Sequence, residues 1–242
     1  MELKICHLYS DVMNLSCDRG NLICMEKRLQ WRGIGVTVTA VNMGEVLEAD
    51  GFDLIFIGNG QPFAQPLLME DLRLNKAGAL WEAVEAGVPV LAIDGGYELL
   101  CKTCETADGQ KLDGLGILDA AVRYGKKRLV GNCAFRNEEL NATLVGFENH
   151  AGLVTLGSNV KPLGTVVSGG GNNGTDGTEG ARYKNVFASY AHGSLLPKNP
   201  ALCDCILKLA LERKYGEMEL VPLDDTLENA AHDYMEKRLI AK

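Results

Sequence analysis

The stretch of residues 88–100 constrains the fold of this chain most strongly. It begins with six apolar residues rich in branched side chains, which is typical of a strand covered on both faces. Gly95 and Gly96 end this run, and helix-compatible residues follow. Asp94 stands at the corner, and the small residues Ala92 and Gly96 on either side let a strand and a helix pass closely. The pattern predicts a nucleophile elbow, with the corner side chain at the carboxyl edge of a sheet.

The corner residue of this elbow is chemically unusual. Such a corner usually needs a positive φ, which Asp tolerates better than most residues. Elbows normally carry Ser or Cys, whereas this one carries a carboxylate, which we expect to stay anionic beside a helix N-terminus. A structural role is also compatible with the sequence, because Asp94 could cap the helix by accepting from backbone N–H groups near Tyr97.

Length and composition indicate an ordinary globular protein. The chain has 242 residues, of which 46% are hydrophobic and 23% charged, so we expect one domain over residues 1–242. The net charge of −8 and the absence of a basic stripe argue against nucleic-acid binding. No apolar run approaches the length of a membrane span, and the N-terminus begins directly in a strand. We therefore expect a cytoplasmic protein that has no signal peptide and is not integral to a membrane.

Strands and helices alternate in the first hundred residues. Apolar or alternating runs predict four strands, at residues 3–8, 35–41, 52–57 and 88–93. Helical patterns follow Asp18, which can act as the cap, and cover residues 67–85. The alternation predicts an α/β fold with an open, mostly parallel, flavodoxin-like sheet and helices on both faces. Ligands on such sheets bind beyond the strand carboxyl ends, where the loop at residues 58–61 and Asp94 should meet.

The second half of the chain has shorter patterns. It predicts strands at residues 115–122, 128–135, 143–147, 163–167 and 185–190, a helix at 200–214 and a terminal amphipathic helix at 224–240. Leu227, Ala231, Tyr234 and Met235 should form the apolar side of the last helix. A glycine-rich stretch at residues 169–180 matches no phosphate-loop spacing. It could be a mobile hairpin tip or a loop that closes over a ligand.

Two histidines are candidates for a catalytic base. His192 directly follows a predicted strand and precedes Gly193, so it should stand at the same sheet edge as Asp94. His150 competes for this role, whereas His7 and His232 are typical of a strand and a surface helix. Cys101 and Cys104 have the spacing of a redox or zinc pair but lack a second pair, so the sequence predicts no metal site.

Several separate motifs resemble one known family nearly end to end. The elbow Leu91-Ala-Ile-Asp-Gly-Gly-Tyr97 is similar to that of class I glutamine amidotransferases of the cobyric-acid-synthase type, apart from its corner residue. The further motifs are Asp18-Arg-Gly-Asn21, Trp31-Arg-Gly-Ile34, residues 53–61, residues 112–118, Gly146-Phe-Glu-Asn-His150, Gly171-Asn-Asn-Gly174, Asp176-Gly-Thr-Glu-Gly180 and residues 190–200. Together they resemble the glutaminase-type subunit (GatD) of lipid II isoglutaminyl synthases.

This resemblance implies a reaction and its residues. The family subunit hydrolyses glutamine and passes ammonia to a Mur-ligase-like partner, which uses ATP to amidate D-glutamate in the cell-wall precursor. The resemblance places the nucleophile at Asp94 and the histidine at His192. It further implies an oxyanion hole of backbone N–H groups, with Gly60 and Gly95 contributing, and glutamine binding by Arg128. No cofactor is implied in this chain, since ATP and magnesium would belong to the partner subunit of a heterodimer. The partner is also the implied source of a carboxylate that orients the histidine.

The chain departs from the family pattern at the nucleophile. A carboxylate attacks an unactivated amide poorly, because the product would be an anhydride, and Glu98 adds a second negative group where related elbows have Gln. We expect Cys101 and Cys104 to lie about two turns along the elbow helix, too far away to substitute. Three hypotheses follow: Cys was replaced by Asp in an otherwise active enzyme; the chain is a natural variant that lost glutaminase chemistry but kept its partner; or Asp94 is the nucleophile of a different hydrolase.

Overall fold

The computed structural model describes residues 1–61 and 64–241. In chain order, the first half contains β1 (Glu2–Leu8), α1 (Arg19–Trp31), β2 (Gly35–Val41), β3 (Leu54–Ile57), α2 (Gln65–Asp71), a π-helical turn (Leu72–Lys76), α3 (Ala77–Glu85), β4 (Val90–Ile93), α4 (Gly95–Leu100), β5 (Cys101–Glu105) and β6 (Lys111–Asp113). The second half contains β7 (Leu118–Asn137), β8 (Ala142–Leu156), β9 (Gly164–Ser168), β10 (Thr178–Glu179), β11 (Ala181–Tyr183), β12 (Val186–Ser189), α5 (Leu195–Lys198), α6 (Pro200–Tyr215) and α7 (Thr226–Ile240).

The first sheet confirms the predicted fold class. Its strand order is β11-β12-β4-β3-β1-β2, and every pair is parallel except β11 with β12. β3 and β4 are buried at every position, as their continuous apolar sequence predicts for strands covered on both faces. Separate apolar clusters cover the two faces of the sheet, one of which includes the inward sides of α1 and α6. None of the helices in the described ranges is long and apolar enough to cross a membrane.

Asp18 does not cap α1 through its side chain, which corrects one expectation. The carboxylate accepts a hydrogen bond from the backbone N–H of Asn59 instead, in the loop that follows β3. Burial raises the pKa of Asp18 to about 7, although the bond from Asn59 lowers it. The start of α1 is therefore tied to the loop at residues 58–61.

The second sheet changes the path of the chain after the elbow. Its order is β10-β9-β7-β5-β6, with β8 paired to β7 in a long antiparallel hairpin. α4 ends at Leu100, so Cys101 and Cys104 lie on β5, not further along the elbow helix as expected. The strands predicted at 115–122 and 128–135 form one strand, β7. A register shift between Tyr124 and Leu129 explains why they read as two.

The glycine-rich stretch connects the antiparallel strands β9 and β10 and is anchored by a buried side chain, whereas its mobility stays a prediction. Asn172 is fully buried, and its side chain donates to the carbonyl of Gly180 (2.9 Å) and to Thr178 Oγ1 (3.0 Å). Asn172 Oδ1 also accepts from the hydroxyl of Tyr97 on α4 (3.2 Å). The loop thus contacts the elbow helix α4 through this hydrogen bond.

The apolar side predicted for the terminal helix is mostly exposed. Leu227 and Tyr234 are 82% and 65% exposed, and only Met235 and Leu239 of α7 pack on an apolar cluster, with Ala134 and Val145. The segment is a helix, as predicted, but the side that packs on the sheet is the one that carries Met235 and Leu239. We therefore expect polar contacts to contribute much of the attachment of α7.

Gly96 provides a test of the close approach at the elbow. A Cβ at this position would lie 2.5 Å from the carbonyl oxygen of Ile57 and 2.9 Å from that of Gly58. We expect Gly96→Ala to lower the free energy of unfolding by about 1–3 kcal/mol, because α4 must move away from β3. The matched control is Gly131→Ala on β7, where a Cβ meets nothing within 4 Å. Urea unfolding of both variants is the measurement, and equal stabilities would contradict the expectation.

Candidate active site

The elbow has the strained geometry that the sequence predicts. Asp94 has φ 50° and ψ −109°, between β4 and α4. Two backbone hydrogen bonds fix it, from Asp94 N to the carbonyl of Ser189 (2.9 Å) and from Gly96 N to the carbonyl of Gly58 (3.1 Å). The Asp94 side chain makes no capping hydrogen bond to α4, so the capping hypothesis is not supported. The strained corner aims this side chain into the site instead.

Asp94 and His192 face each other, as predicted. His192 lies just beyond the end of β12 and pairs in both directions with the backbone of Phe147 on β8, at 2.9 and 3.4 Å. Its Nε2 is 3.9 Å from Asp94 Oδ2, too far for a direct hydrogen bond. The predicted proximity is confirmed, whereas the catalytic roles of these two residues stay a prediction.

The surroundings shift the pKa of both groups. Burial raises the pKa of Asp94 well above its usual range, the nearby Glu98 and Asp18 raise it further, and only Arg128 opposes them. Burial and the neighbouring acids therefore oppose ionisation of Asp94, and its charge at neutral pH stays a prediction. Burial, together with Lys198 and Arg128, lowers the pKa of His192 to about 4. A neutral imidazole at His192 therefore faces a carboxyl group whose ionisation burial opposes.

His192 has no orienting carboxylate in the described part of the chain. Neither ring nitrogen has a hydrogen-bond partner there, although the residue is only 5% exposed. The nearest approach of a carboxyl is that of Asp94.

Asp94 lines a cavity of about 200 Å³. The residues around it are Leu15, Ser16, Asn59, Gly60, Gln61, Gln65, Asp94, Gly95, Glu98, Tyr124, Arg128, Asn149, His150 and Ala151. The structure thus brings four of the five predicted site residues, Gly60, Asp94, Gly95 and Arg128, to one cavity, with His192 against Asp94. The N–H of Gly95 makes a long hydrogen bond (3.4 Å) to Asn59 Oδ1, so a ligand oxygen would have to compete with this amide.

Glu98 is the most fully bonded side chain of the cavity. It accepts hydrogen bonds from the hydroxyls of Tyr124 (2.7 Å) and Tyr190 (2.9 Å) and from the amide of Gln65. Burial raises its pKa, and these three donors oppose the rise by stabilising the carboxylate. The sequence singled out Glu98 but not its partners. They come from α2, β7 and the end of β12, and no pattern in the chain links them.

Arg128 and His150 complete the cavity wall. Arg128 is on the exposed β7–β8 hairpin, where Nε donates to Asn149 Oδ1 (2.8 Å) and the guanidinium also bonds the carbonyl of Asn149. His150 contacts the carbonyl of Gly152 through Nδ1 (2.7 Å) and stacks on Tyr190 with ring centroids 3.6 Å apart. The described residues contain no group of three or more potential ligands arranged to hold a metal ion.

Glu98 gives a test of the protonation of Asp94. Replacing it by Gln keeps the shape of the side chain but removes the largest charged contribution to the high pKa of Asp94. We expect the pKa of Asp94 to fall in Glu98→Gln while staying above its ordinary value, because burial is unchanged. The measurement is the ¹³C shift of the Asp94 carboxyl as a function of pH. An unchanged titration would contradict this electrostatic coupling.

Solved structures share this architecture. A structure described as glutamine amidotransferase covers 85% of this chain and 98% of its own, with a TM-score of 0.57 and 19% identity. PurLQS from Thermotoga maritima has a TM-score of 0.60 and 17% identity, and the match covers 88% of this chain and 97% of that structure's chain. The glutaminase domain of Trypanosoma brucei CTPS, solved with bound acivicin, has a TM-score of 0.56 and 12% identity. The match covers 90% of this chain and 96% of that domain. The fold is therefore that of the class I glutamine amidotransferases.

The family itself follows from sequence comparison. The model of the CobB/CobQ-like glutamine amidotransferase domain matches residues 4–200, and the chain belongs to this family. It is 40% identical over 227 residues to the lipid II isoglutaminyl synthase (glutamine-hydrolyzing) subunit GatD of Staphylococcus aureus, covering 94% of this chain and 92% of the relative. The corresponding subunit of Streptococcus pneumoniae is 36% identical over 236 residues, at 96% and 90% coverage. The family resemblance of the motifs is confirmed.

Proposed function

We propose that this chain is the glutamine amidotransferase-like subunit of a complex that amidates lipid II, and that it no longer hydrolyses glutamine. Two relatives that are similar over nearly their whole length are named as the GatD subunit of such a synthase. The observation that carries the second part is Asp94, a buried carboxyl at the nucleophile position of a well-formed elbow.

Three features of the site oppose glutamine hydrolysis. A carboxyl group attacks an unactivated amide poorly, because its acyl product would be an anhydride instead of a thioester. Once ionised, the same group would repel the oxyanion that backbone donors are meant to stabilise. Finally, transfer of a proton from Asp94 to His192 is unfavourable, because the pKa of His192 is lowered to about 4 whereas that of Asp94 is raised. The same difference in pKa disfavours the hypothesis that Asp94 is the nucleophile of a hydrolase that acts on another substrate.

The proposed partner is a Mur-ligase-like subunit that holds ATP and magnesium. In this arrangement the amidotransferase fold keeps its contact surface and its cavity, with Gly60, Gly95 and Arg128 in the positions that bind and polarise an amide in the family. His192 lacks an orienting group among the described residues, which fits a site completed by a second subunit.

Coexpression of this chain with a ligase subunit of this kind tests the proposal. We expect the two to purify together at moderate salt, and the complex to release no glutamate from glutamine above a blank without protein. A chain that remains alone at low and moderate salt would overturn the assignment to a complex. Glutamate release by the unmodified complex would overturn the loss of hydrolysis.

A further inference from the structure

Two cysteine side chains meet between α1 and α6. The sulfur atoms of Cys24 and Cys203 lie 3.8 Å apart, within hydrogen-bonding distance for two thiols. Both thiols are free; Cys203 is fully buried, and Cys24 is half-buried. The two helices are held together at this point, because Arg28, one turn after Cys24, bonds the carboxylate of Asp204, which follows Cys203 (2.6 and 2.7 Å). A disulfide needs the sulfurs to approach to about 2.05 Å, which is a small side-chain movement between helices already packed together.

The surroundings make Cys24 the more acidic of the two thiols. The hydrogen bond with Cys203 lowers the pKa of Cys24, burial opposes this effect, and the Arg28 guanidinium lowers the pKa further against Asp204 and Asp225. Burial raises the pKa of Cys203 well above its usual range, and the neighbouring Cys24 raises it more. Since the thiolate is the attacking form, Cys24 is the nucleophile and Cys203 is the thiol that resolves its adduct.

Cys24 can be reached from solvent, whereas Cys203 cannot. Cys24 lines a cavity of about 360 Å³ between α1 and the α5–α6 segment, with a mostly apolar wall that includes Trp31, Leu196 and Pro197. Cys203 does not line this cavity and is 0% exposed. A small reagent therefore meets Cys24 first, and Cys203 lies directly behind the sulfur that it attacks.

We propose that Cys24 and Cys203 form a reversible disulfide by exchange with a low-molecular-weight disulfide, and that this bond fixes α1 to α6. The Cys24 thiolate attacks one sulfur of the small disulfide, so that a mixed disulfide forms and one small thiolate leaves. Cys203 then loses its proton and attacks the Cys24 sulfur, which releases the second small thiolate. The protein thiols lose two electrons and two protons, and the two released thiols take them up.

The pair at Cys101 and Cys104 has the spacing of a redox motif but lacks these properties. Both residues are buried on β5, at 0% and 2% exposure. Burial raises the pKa of Cys104 to about 12 and that of Cys101 well above its usual range, and Glu98 raises both further. These thiols are neither accessible nor ionised, so we expect them to stay reduced under conditions that oxidise Cys24 and Cys203.

The new bond would close a loop that contains most of the chain. Cross-links between residues far apart in sequence restrict the unfolded chain and thereby stabilise the fold. The bond would also tie together the segments that lead to the elbow cavity, since α1 follows Asp18 and α6 lies a few residues after His192. The oxidised protein should therefore unfold at a higher urea concentration than the reduced protein.

The experiment incubates the reduced chain with oxidised glutathione and maps the products by digestion and mass spectrometry. All samples carry Cys17→Ser, which removes an exposed thiol that would form an adduct of its own. We expect peptides joined through Cys24 and Cys203, without retained glutathione and reversed by dithiothreitol, and a urea midpoint shifted upwards in the oxidised sample. In Cys203→Ala the reaction should stop at a glutathione adduct on Cys24, and in Cys24→Ser, Cys203 should stay unmodified.

Cys101→Ser is the matched control, because it removes a buried thiol outside the pair and should leave the cross-link unchanged. The cross-link itself is mapped with both thiols of the pair in place, so this result does not depend on the folding of Cys203→Ala. Absence of the cross-link, a glutathione adduct that persists on Cys24 beside an intact Cys203, or oxidation of Cys101 and Cys104 instead would each overturn the inference.

Discussion

Glutamine hydrolysis by the unmodified chain should be absent, and Asp94→Cys should restore it only in part. In related triads, loss of the nucleophile lowers turnover by a factor on the order of 10⁶. Here the effect is expected to be complete, because a carboxyl is chemically unsuited to attack an amide and burial opposes the ionisation of Asp94. The measurement is glutamate release by the purified chain and by Asp94→Cys, each with and without the ligase subunit.

The partial recovery follows from what surrounds the new thiol. A thiolate at position 94 would lie beside the buried Glu98, whose negative charge raises a thiol pKa and reduces the reactive fraction. His192 stands close enough to accept the thiol proton but has no orienting partner among the described residues. We therefore expect Asp94→Cys with Glu98→Gln to be at least about tenfold more active than Asp94→Cys alone, equivalent to a thiol pKa lower by about one unit.

The controls separate the first two hypotheses, a replaced cysteine and a lost glutaminase chemistry. Adding His192→Ala to Asp94→Cys should abolish the recovered activity, since His192 Nε2 lies 3.9 Å from the side chain at position 94. Full family-level activity of Asp94→Cys alone would point to a single replaced residue in an otherwise intact enzyme. Glutamate release by the unmodified chain would contradict the lost-chemistry hypothesis altogether.

The first sheet could be predicted because its strands are local patterns. The predicted strand at 35–41 matches β2, and those at 3–8 and 88–93 differ from β1 and β4 by no more than two residues at an end. The elbow was found because apolar strand, small residues and corner follow one another in sequence. The second sheet was harder. Its long hairpin is interrupted by Gly125 and charged residues, and only pairing across the hairpin shows that β7 is continuous.

The position of the site was predictable, but the electrostatic surroundings of Asp94 were not. Asp94 and His192 each end a strand of one parallel sheet, so their meeting at 3.9 Å followed from topology. The ionisation of Asp94 depends on how deeply the fold buries it and on Asp18 and Glu98, which other elements bring close. The bonds of Glu98 to Tyr124 and Tyr190 join residues far apart in the chain, and sequence periodicity carries no trace of them.

Replacing Arg28 should cause the largest loss of stability outside the cavity. Arg28 of α1 is 2% exposed and makes two hydrogen bonds to each of Asp204 and Asp225, at 2.6–2.7 Å. It thereby joins α1 to α6 and to the residue that precedes α7. We expect Arg28→Met to lower the free energy of unfolding at pH 7 by about 3 kcal/mol, since two carboxylates lose a buried partner. Lys102→Ala is the control, because its pair with Asp119 is exposed and should matter little.

The pH dependence of this loss identifies its electrostatic origin. Burial alone would raise the pKa of Asp204, but the hydrogen bonds from Arg28 and Arg32 outweigh it and hold the pKa below the usual value. A carboxyl whose folded pKa is depressed stabilises the fold above its unfolded pKa, about 3.9, and that contribution is lost as the pH falls through the folded pKa. The difference between the unmodified chain and Arg28→Met, measured by urea unfolding, should therefore shrink between pH 7 and pH 3. A difference that stayed constant would assign the loss to side-chain packing instead of charge.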